Sequence, residues 1–166
     1  PAAAIRTSIR TADLHSSPIR DILSVIDRPG MVSFAGGLPA PETFPPVSLD
    51  GMPASWLQYG PSEGEPVLRD RVAEQLRALG LRCAPEQVLM LSGSQQGIDL
   101  VGKLFIDRGT PVAMESPTYL AALQVFRFYG VSPVTLDADN PSVALRGGAG
   151  RPAFAYLIPT FQNPTG

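Results

Sequence analysis

The clearest periodic segment of the chain lies between residues 65 and 79. Its apolar residues recur at helical spacing and share one face: Leu68, Val72, Leu76 and Leu79. The charged residues of this segment, Arg69 among them, lie largely off that face. Gly80 follows at the position where a glycine commonly ends a helix. The pattern therefore predicts an amphipathic helix over residues 65–79.

Short apolar runs alternate with helical segments along the rest of the chain. We predict strands over residues 87–91, 111–115, 131–136 and 153–158. Helices are predicted from the turn at 92–94 to about residue 107, over 118–129, and in a short segment that begins at Ser17-Pro18 and ends at Pro29-Gly30. Proline and glycine predict loops over 31–64 and 137–152. This order is typical of an α/β domain whose mostly parallel sheet is flanked by helices.

Three loops leave the carboxyl ends of predicted strands: residues 92–95, 115–119 and 159–166. In open α/β sheets, ligands bind outside the carboxyl ends of the strands. We therefore expect these three loops to meet at one edge of the sheet and to form a ligand site there.

The composition narrows the class of protein. The chain has 166 residues, of which 44% are hydrophobic and 17% charged, so it can bury a core. Its net charge of −2 and the lack of a long basic run argue against nucleic-acid binding. No apolar stretch is long enough to span a bilayer, and we expect a cytoplasmic protein. A single cysteine, Cys83, excludes an intrachain disulfide, and the lone His15 has no evident metal partners.

Each of the three loops has a chemical interpretation and a simpler one. Residues 92–97 (SGSQQG) join a strand to a helix N-terminus, where backbone amides and the Ser94 hydroxyl can hold a phosphate or merely cap the helix. Tyr119 can stack on a flat cofactor or be a core tyrosine. The Asn163 amide can donate to a phenolate oxygen, or the segment can be an ordinary turn.

Taken together, the motifs resemble those of a known family. The segments that carry the resemblance are residues 17–20 (SPIR), 33–39 (SFAGGLP), 57–61 (LQYGP), 92–97 (SGSQQG), 115–119 (ESPTY) and 163–166 (NPTG). In this order they resemble the pyridoxal-phosphate (PLP) aminotransferases of fold type I, class I/II, especially the subgroup of α-aminoadipate and kynurenine aminotransferases. The resemblance runs from about residue 17 to residue 166. Two stretches, 44–56 and 137–152, are shorter than is usual in that family.

The resemblance implies a domain organisation. Residues 1–50 would form an N-terminal arm and a substrate-side segment, and residues 51–166 the N-terminal part of the PLP-binding large domain. The large domain would be incomplete, because the chain stops at Gly166 directly after a predicted strand. We therefore expect this sequence to be part of a longer polypeptide.

The resemblance also implies cofactor contacts. Ser94 and Gln95 would hold the PLP phosphate, and Tyr119 would stack on the pyridine ring. Asn163 would hydrogen-bond the O3′ oxygen of the ring. Tyr59 would reach the phosphate bound by a neighbouring subunit, which implies a homodimer with shared active sites.

Two further residues would face the substrate. Gly37 would lie against the α-carboxylate. Arg20 occupies the position where the subgroup has a mobile arginine that can meet a side-chain carboxylate, although it can also be read as a surface arginine on a short helix. The substrates implied are an α-amino acid and a 2-oxo acid.

The catalytic lysine is not found at any matching position. Transamination requires a lysine amine that forms an imine with PLP and moves the proton. The only lysine is Lys103, about two turns into the helix after the phosphate loop, and we do not expect it to take this role. In the family the lysine lies beyond the NPTG segment, so the chain would hold part of a cofactor site and no catalytic residue.

The expected activity is amino-group transfer from an α-amino acid to a 2-oxo acid. The motifs leave other reaction types of PLP open, such as those of a lyase, decarboxylase or oxidase, because PLP supplies the electron sink in each. They also leave open an aminotransferase-like effector domain of a transcriptional regulator, although residues 1–16 are too few for a helix-turn-helix. A non-catalytic binding module is the remaining alternative.

Overall fold

The computed structural model describes residues 6–12, 22, 28–32, 39–136 and 150–166. These residues belong to two compact units, which we describe separately: a smaller one within Gly36–Ser92 and a larger one drawn from Pro1–Ala35 and Gly93–Gly166. Apart from residues 22 and 28–30, the helix predicted from Ser17-Pro18 to Pro29-Gly30 lies outside the described residues, and so does most of the loop predicted over 137–152.

The smaller unit is organised by one helix, α1 (Pro66–Ala78), which confirms the helix predicted from the apolar period. Pro66 stands in its first turn, where a missing amide costs no helical hydrogen bond. Ala73 is fully buried, and Gly80 takes the left-handed conformation with φ 88° just beyond the helix. Before α1, the described part of the predicted loop has only short 3-10 turns, Pro41–Thr43 and Ala54–Leu57.

The strand predicted over residues 87–91 is wrong. A 3-10 turn (Pro85–Gln87) is followed by backbone that pairs with no strand in the described part of the chain. The backbone groups of this segment have other partners: the Val88 carbonyl accepts from the Arg69 guanidinium at 2.9 Å, and the Met90 amide donates to the Glu63 carbonyl at 2.9 Å. A ladder partner is therefore not needed to satisfy them.

The larger unit contains a three-stranded parallel sheet, in which β1 (Pro111–Met114) lies between β2 (Ser132–Thr135) and β3 (Ala155–Tyr156). Ala113 pairs with Val134 on one side and with Ala155 on the other. Two helices, α2 (Ser94–Phe105) and α3 (Leu120–Tyr129), accompany the sheet. This confirms the predicted α/β order and three of the four strands, although β3 is shorter than expected.

The core of this unit lies between the sheet and α3. Its buried members are Ile106, Val112, Met114, Ala122 and Phe126. The Phe126 ring meets Phe154 and Tyr156 edge to face, with both pairs of ring centroids 5.6 Å apart. Phe126 is 1% exposed, so this side chain holds α3 against the sheet.

Helices α2 and α3 both end just before β1 and β2 begin, at the amino edge of the sheet. Near its last turn, α2 packs Gly102 against the Tyr129 ring of α3, where a Cβ would come within 2.7 Å of that ring. The Gly109 amide before β1 donates to the Gly130 carbonyl before β2 at 2.7 Å. Because α2 and α3 end at this edge, their first turns point towards the carboxyl edge. Among the described residues, no helix has the length and apolar character needed to cross a membrane.

Candidate functional site

Two segments meet where the parallel strands β1 and β3 end. Glu115 follows β1, and its Oε2 accepts a hydrogen bond from the Ile158 amide just after β3 at 3.0 Å. The Glu115 carboxylate therefore acts as the hydrogen-bond acceptor that a backbone carbonyl of the neighbouring strand would otherwise supply. Gln162 also reaches the Pro117 carbonyl, so two of the three predicted loops, 115–119 and 159–166, meet at one edge. The third loop, 92–95, does not follow a strand among the described residues.

Gln162 joins the same two segments more firmly. Its Nε2 donates to the Pro117 carbonyl at 2.9 Å and to Glu115 Oε2 at 3.4 Å. Its Oε1 accepts from both the amide and the hydroxyl of Thr165, at 2.9 and 2.7 Å. The Gly166 amide donates to the Gln162 carbonyl at 2.6 Å and closes the turn that contains Asn163.

Tyr119 lies at the start of α3 and is half-buried against the core. Burial raises the pKa of the neighbouring Tyr156 phenol above its ordinary value of 10.0, and the proximity of Tyr119 and Glu115 raises it further. The three side chains thus share a small electrostatic neighbourhood. Next to Tyr119, the Thr118 hydroxyl is buried and has no hydrogen-bond partner among the described residues.

The first turn of α2 carries Ser94 and Gln95, both of them exposed. Gly93 precedes the helix with φ 91°, a conformation that suits glycine and few other residues. Glycine has no side chain that could cap the helix, and the Gln96 amide of the first turn donates to the Gly93 carbonyl at 3.2 Å. This is the geometry in which a helix N-terminus binds an anion.

A cleft of about 570 Å³ opens beside the junction. Its lining comes from the ends of β1 and β2 and from the last segment of the chain: Glu115, Ser116, Pro117, Thr135, Leu136, Gln162 and Thr165. Asn163 is exposed in the turn next to this lining. Neither Tyr119 nor Asn163 lines the cleft itself.

Of the other residues considered for the site from the sequence, the structure describes Tyr59 and Lys103. Tyr59 belongs to the smaller unit and is 99% exposed. Arg20 and Gly37 lie outside the described residues. Lys103 is in the last turn of α2, where its Nζ is 3.6 Å from Asp99 Oδ2 and the side chain is 59% exposed. Lys103 is therefore a largely solvated side chain that lies one turn from the carboxylate of Asp99.

The structure adds two residues that sequence patterns did not single out. Glu115 lies in a motif to which only Tyr119 gave a chemical interpretation, and Gln162 directly precedes the Asn163 turn. Their partners lie 43 to 47 residues away along the chain, and no local pattern signals such contacts.

Comparison with known proteins assigns the family. The profile described as aminotransferase class I and II matches residues 42–145, more than half of the chain. The chain belongs to the class I and II aminotransferases. Among the relatives of this aminotransferase chain is a 2-aminoadipate transaminase of Thermus thermophilus, with 45% identity over 92% of the chain and 41% of the relative. Aromatic-amino-acid aminotransferase 1 of Thermococcus litoralis is 35% identical over 96% of the chain and 43% of the relative.

A solved structure extends the likeness to the fold. The α-aminoadipate aminotransferase of Thermus thermophilus, complexed with N-(5'-phosphopyridoxyl)-L-leucine, matches 96% of the aminotransferase chain with a TM-score of 0.77 and 42% identity. The match covers 42% of that enzyme. The chain therefore spans about two fifths of the length of these relatives.

Proposed function

We propose that this chain is the N-terminal part of a PLP-dependent aminotransferase that moves an amino group from an α-amino acid to a 2-oxo acid. The observation that carries the proposal is the junction at the carboxyl edge of β1 and β3, where Glu115 and Gln162 join the segments of Tyr119 and Asn163. Membership of the class I and II family supports it. In this proposal residues 1–50 form the arm and substrate-side segment, and residues 51–166 begin the large domain.

Two features of the chain fit PLP. The start of α2 at Gly93 offers backbone amides to a phosphate, with the Ser94 hydroxyl and Gln95 beside them. The Thr118 hydroxyl next to Tyr119 is buried and has no partner among the described residues, so it can form a hydrogen bond with a polar group of a ligand. When bound, PLP supplies the electron sink for the reaction.

The residues of the chain would then contact different parts of the cofactor. Ser94 and Gln95 hold the phosphate, Tyr119 stacks on the pyridine ring, and Asn163 donates to the O3′ oxygen. Each of these contacts positions the cofactor without moving a proton. The proton-transferring lysine is proposed to lie in the part of the relatives' length that the chain does not span.

The proposed substrate is a dicarboxylic amino acid such as 2-aminoadipate, the compound named for the relative with 45% identity. Arg20 would meet the distal carboxylate, and Gly37 would lie against the α-carboxylate. Aromatic amino acids are the second class, after the relative from Thermococcus litoralis. We further propose a cytoplasmic homodimer in which the exposed Tyr59 completes the partner's phosphate site.

The test uses the complete protein that carries this sequence. After incubation with PLP and reduction with borohydride, the expected product is a covalent adduct on a protein heavier than 17.6 kDa. Mixing with 2-aminoadipate and a 2-oxo acid should yield the exchanged amino and oxo acids. Lys103→Arg is the matched control, and its adduct and its turnover should equal those of the wild type.

Other outcomes contradict the proposal in distinct ways. Release of ammonia, carbon dioxide or hydrogen peroxide, in place of amino transfer, would indicate a lyase, a decarboxylase or an oxidase. An adduct without turnover would favour a regulator. Failure to form any adduct would refute PLP chemistry, and loss of the adduct in Lys103→Arg would refute the expected position of the catalytic lysine.

A further inference from the structure

Every hydrogen-bonding atom of the Gln162 side chain is in use. An amide side chain has two N–H donors and an oxygen with two lone pairs. Here the two donors reach Pro117 O and Glu115 Oε2, and the oxygen accepts twice from Thr165. A flipped amide would set its NH₂ group against the Thr165 amide, so these partners also fix its orientation. No polar atom of this side chain remains for a ligand.

The partners of Gln162 flank both proposed ring contacts. Pro117 stands two residues before Tyr119, and Gln162 immediately precedes Asn163. Phe161, next to Gln162, has φ 52°, which is uncommon for a residue with a large side chain, so the surroundings hold the backbone in a defined path. The segments of Tyr119 and Asn163 are thus joined through the side chains of Gln162 and Glu115.

We infer that Gln162, together with Glu115, is a positioning residue that fixes Asn163 relative to Tyr119, and this inference rests on the proposed function. Gln162 does not contact the cofactor. It determines whether the Asn163 amide can reach the O3′ oxygen while Tyr119 keeps its place on the ring.

Substitutions at position 162 separate this role from simple stabilisation. Gln162→Leu removes all four hydrogen bonds, and Gln162→Glu keeps the shape but loses both donors and places a carboxylate beside Glu115. The double variant Glu115→Gln/Gln162→Glu reverses donor and acceptor between the two positions, while the Pro117 carbonyl stays without its donor and the Ile158 amide loses the Oε2 acceptor that it shares with Gln162. Gln87→Leu is the matched control, because the Gln87 side chain accepts from the nearby Ala84 amide, within its own turn.

The measurement is the pH titration of the visible absorbance of the complete, PLP-loaded protein. An N–H that donates to O3′ draws negative charge away from that oxygen. When this hydrogen bond is lost, the oxygen keeps more of its charge and stabilises the protonated form of the cofactor. Gln162→Glu should therefore raise the apparent pKa of the titration by on the order of one unit, as for other hydrogen-bonded ionisable groups. The double variant should recover part of this shift, and Gln87→Leu should titrate as wild type.

Each outcome bears on the inference. If the Gln162 variants melt at lower temperature but titrate as wild type, Gln162 is a structural residue only and the inference is overturned. An equal shift in the single and double variants would overturn the pairing of Glu115 with Gln162. If the wild-type protein shows no visible absorbance band, the proposed function is overturned. If the wild-type band is present but titrates identically in the variants, only the inference about Gln162 is overturned. Gln162→Glu supplies the decisive comparison where Gln162→Leu does not fold.

Discussion

Arg69 offers the sharpest test of how the smaller unit is held together. Its Nε donates to the carbonyls of Pro85 and Val88, at 3.1 and 2.9 Å, and its Nη2 donates to Pro85 at 2.7 Å. The guanidinium thus fastens α1 to the segment that runs towards the SGSQQG motif. We predict that Arg69→Met, which keeps much of the aliphatic stem and removes the donors, will loosen this segment specifically.

The size of the effect follows from the number of acceptors. A hydrogen bond to a charged group contributes about 1.5–3 kcal/mol when shielded from water. Arg69 serves two carbonyls and is half-buried, so solvent reduces the sum, and we expect a loss of about 2–3 kcal/mol. A local opening equilibrium should then shift by about 30- to 150-fold.

The assay is hydrogen exchange by mass spectrometry, followed on the peptide that covers residues 84–91 of the complete protein. Arg71→Met is the control on the same helix, because Arg71 is 74% exposed and pairs only with Glu74 among the described residues. Its effect should stay within about 0.5 kcal/mol. Arg69→Lys should be intermediate, since an ammonium lacks the planar fork. Equal exchange in Arg69→Met and Arg71→Met would refute the reasoning.

Three further predictions concern the larger unit and the substrate. Phe126→Ala should lower the free energy of unfolding by about 3–5 kcal/mol in chemical denaturation, and a loss under about 1 kcal/mol would mean that α3 is held otherwise. Burial and then the Asp99 carboxylate raise the pKa of the Tyr129 phenol, against a smaller lowering by Arg10, so the folded state holds this proton longer. The protonated phenol therefore contributes its full share of the folding free energy below about pH 10, and this share is lost as the pH rises through the raised pKa. Tyr129→Phe should make the free energy of unfolding fall less steeply with pH in the alkaline range, and an unchanged slope would contradict this prediction. Arg20→Ala should raise KM for 2-aminoadipate far more than for an aromatic amino acid, and equal changes in both KM values would remove the proposed role.

The strands predicted from apolar runs are correct for β1, β2 and β3, which pair with one another, and wrong for residues 87–91, which pair with no strand among the described residues. Residues 87–91 and β1 look alike as short apolar runs, and periodicity alone cannot separate them. The difference lies in tertiary partners: Val88 is served by Arg69, whereas Ala113 pairs on both sides. Pro133 lies within β2 although proline has no amide to donate. The Ser132 amide donates to the Thr110 carbonyl and the Leu136 amide to the Met114 carbonyl, so the strand pairs without an amide at position 133.

Prediction of the site had a similar limit. The loops after β1 and β3 could be placed at one edge from strand order alone, because parallel strands end on the same side. The roles of Ser94, Tyr119 and Asn163 came from the resemblance to a family and stay predictions. The contacts of Glu115 and Gln162 could not be foreseen, since a glutamate or glutamine near a loop is ordinarily a solvated residue.

The connection between β1 and β3 has a consequence for the order in which the unit can assemble. β1 finds its β2 partners 21 residues further on, as in the pair Ala113 and Val134, whereas its partners on β3 follow after 42 residues. A longer closure costs more chain entropy, and on a growing chain it must also wait for synthesis. The Glu115 carboxylate and the Pro117 carbonyl therefore emerge well before residues 158–162, which will bond to them. The junction at this edge can therefore form only after the residues of β1 and β2 are available, and chains interrupted before residue 158 would keep β1 and β2 while lacking the junction on which the proposed chemistry depends.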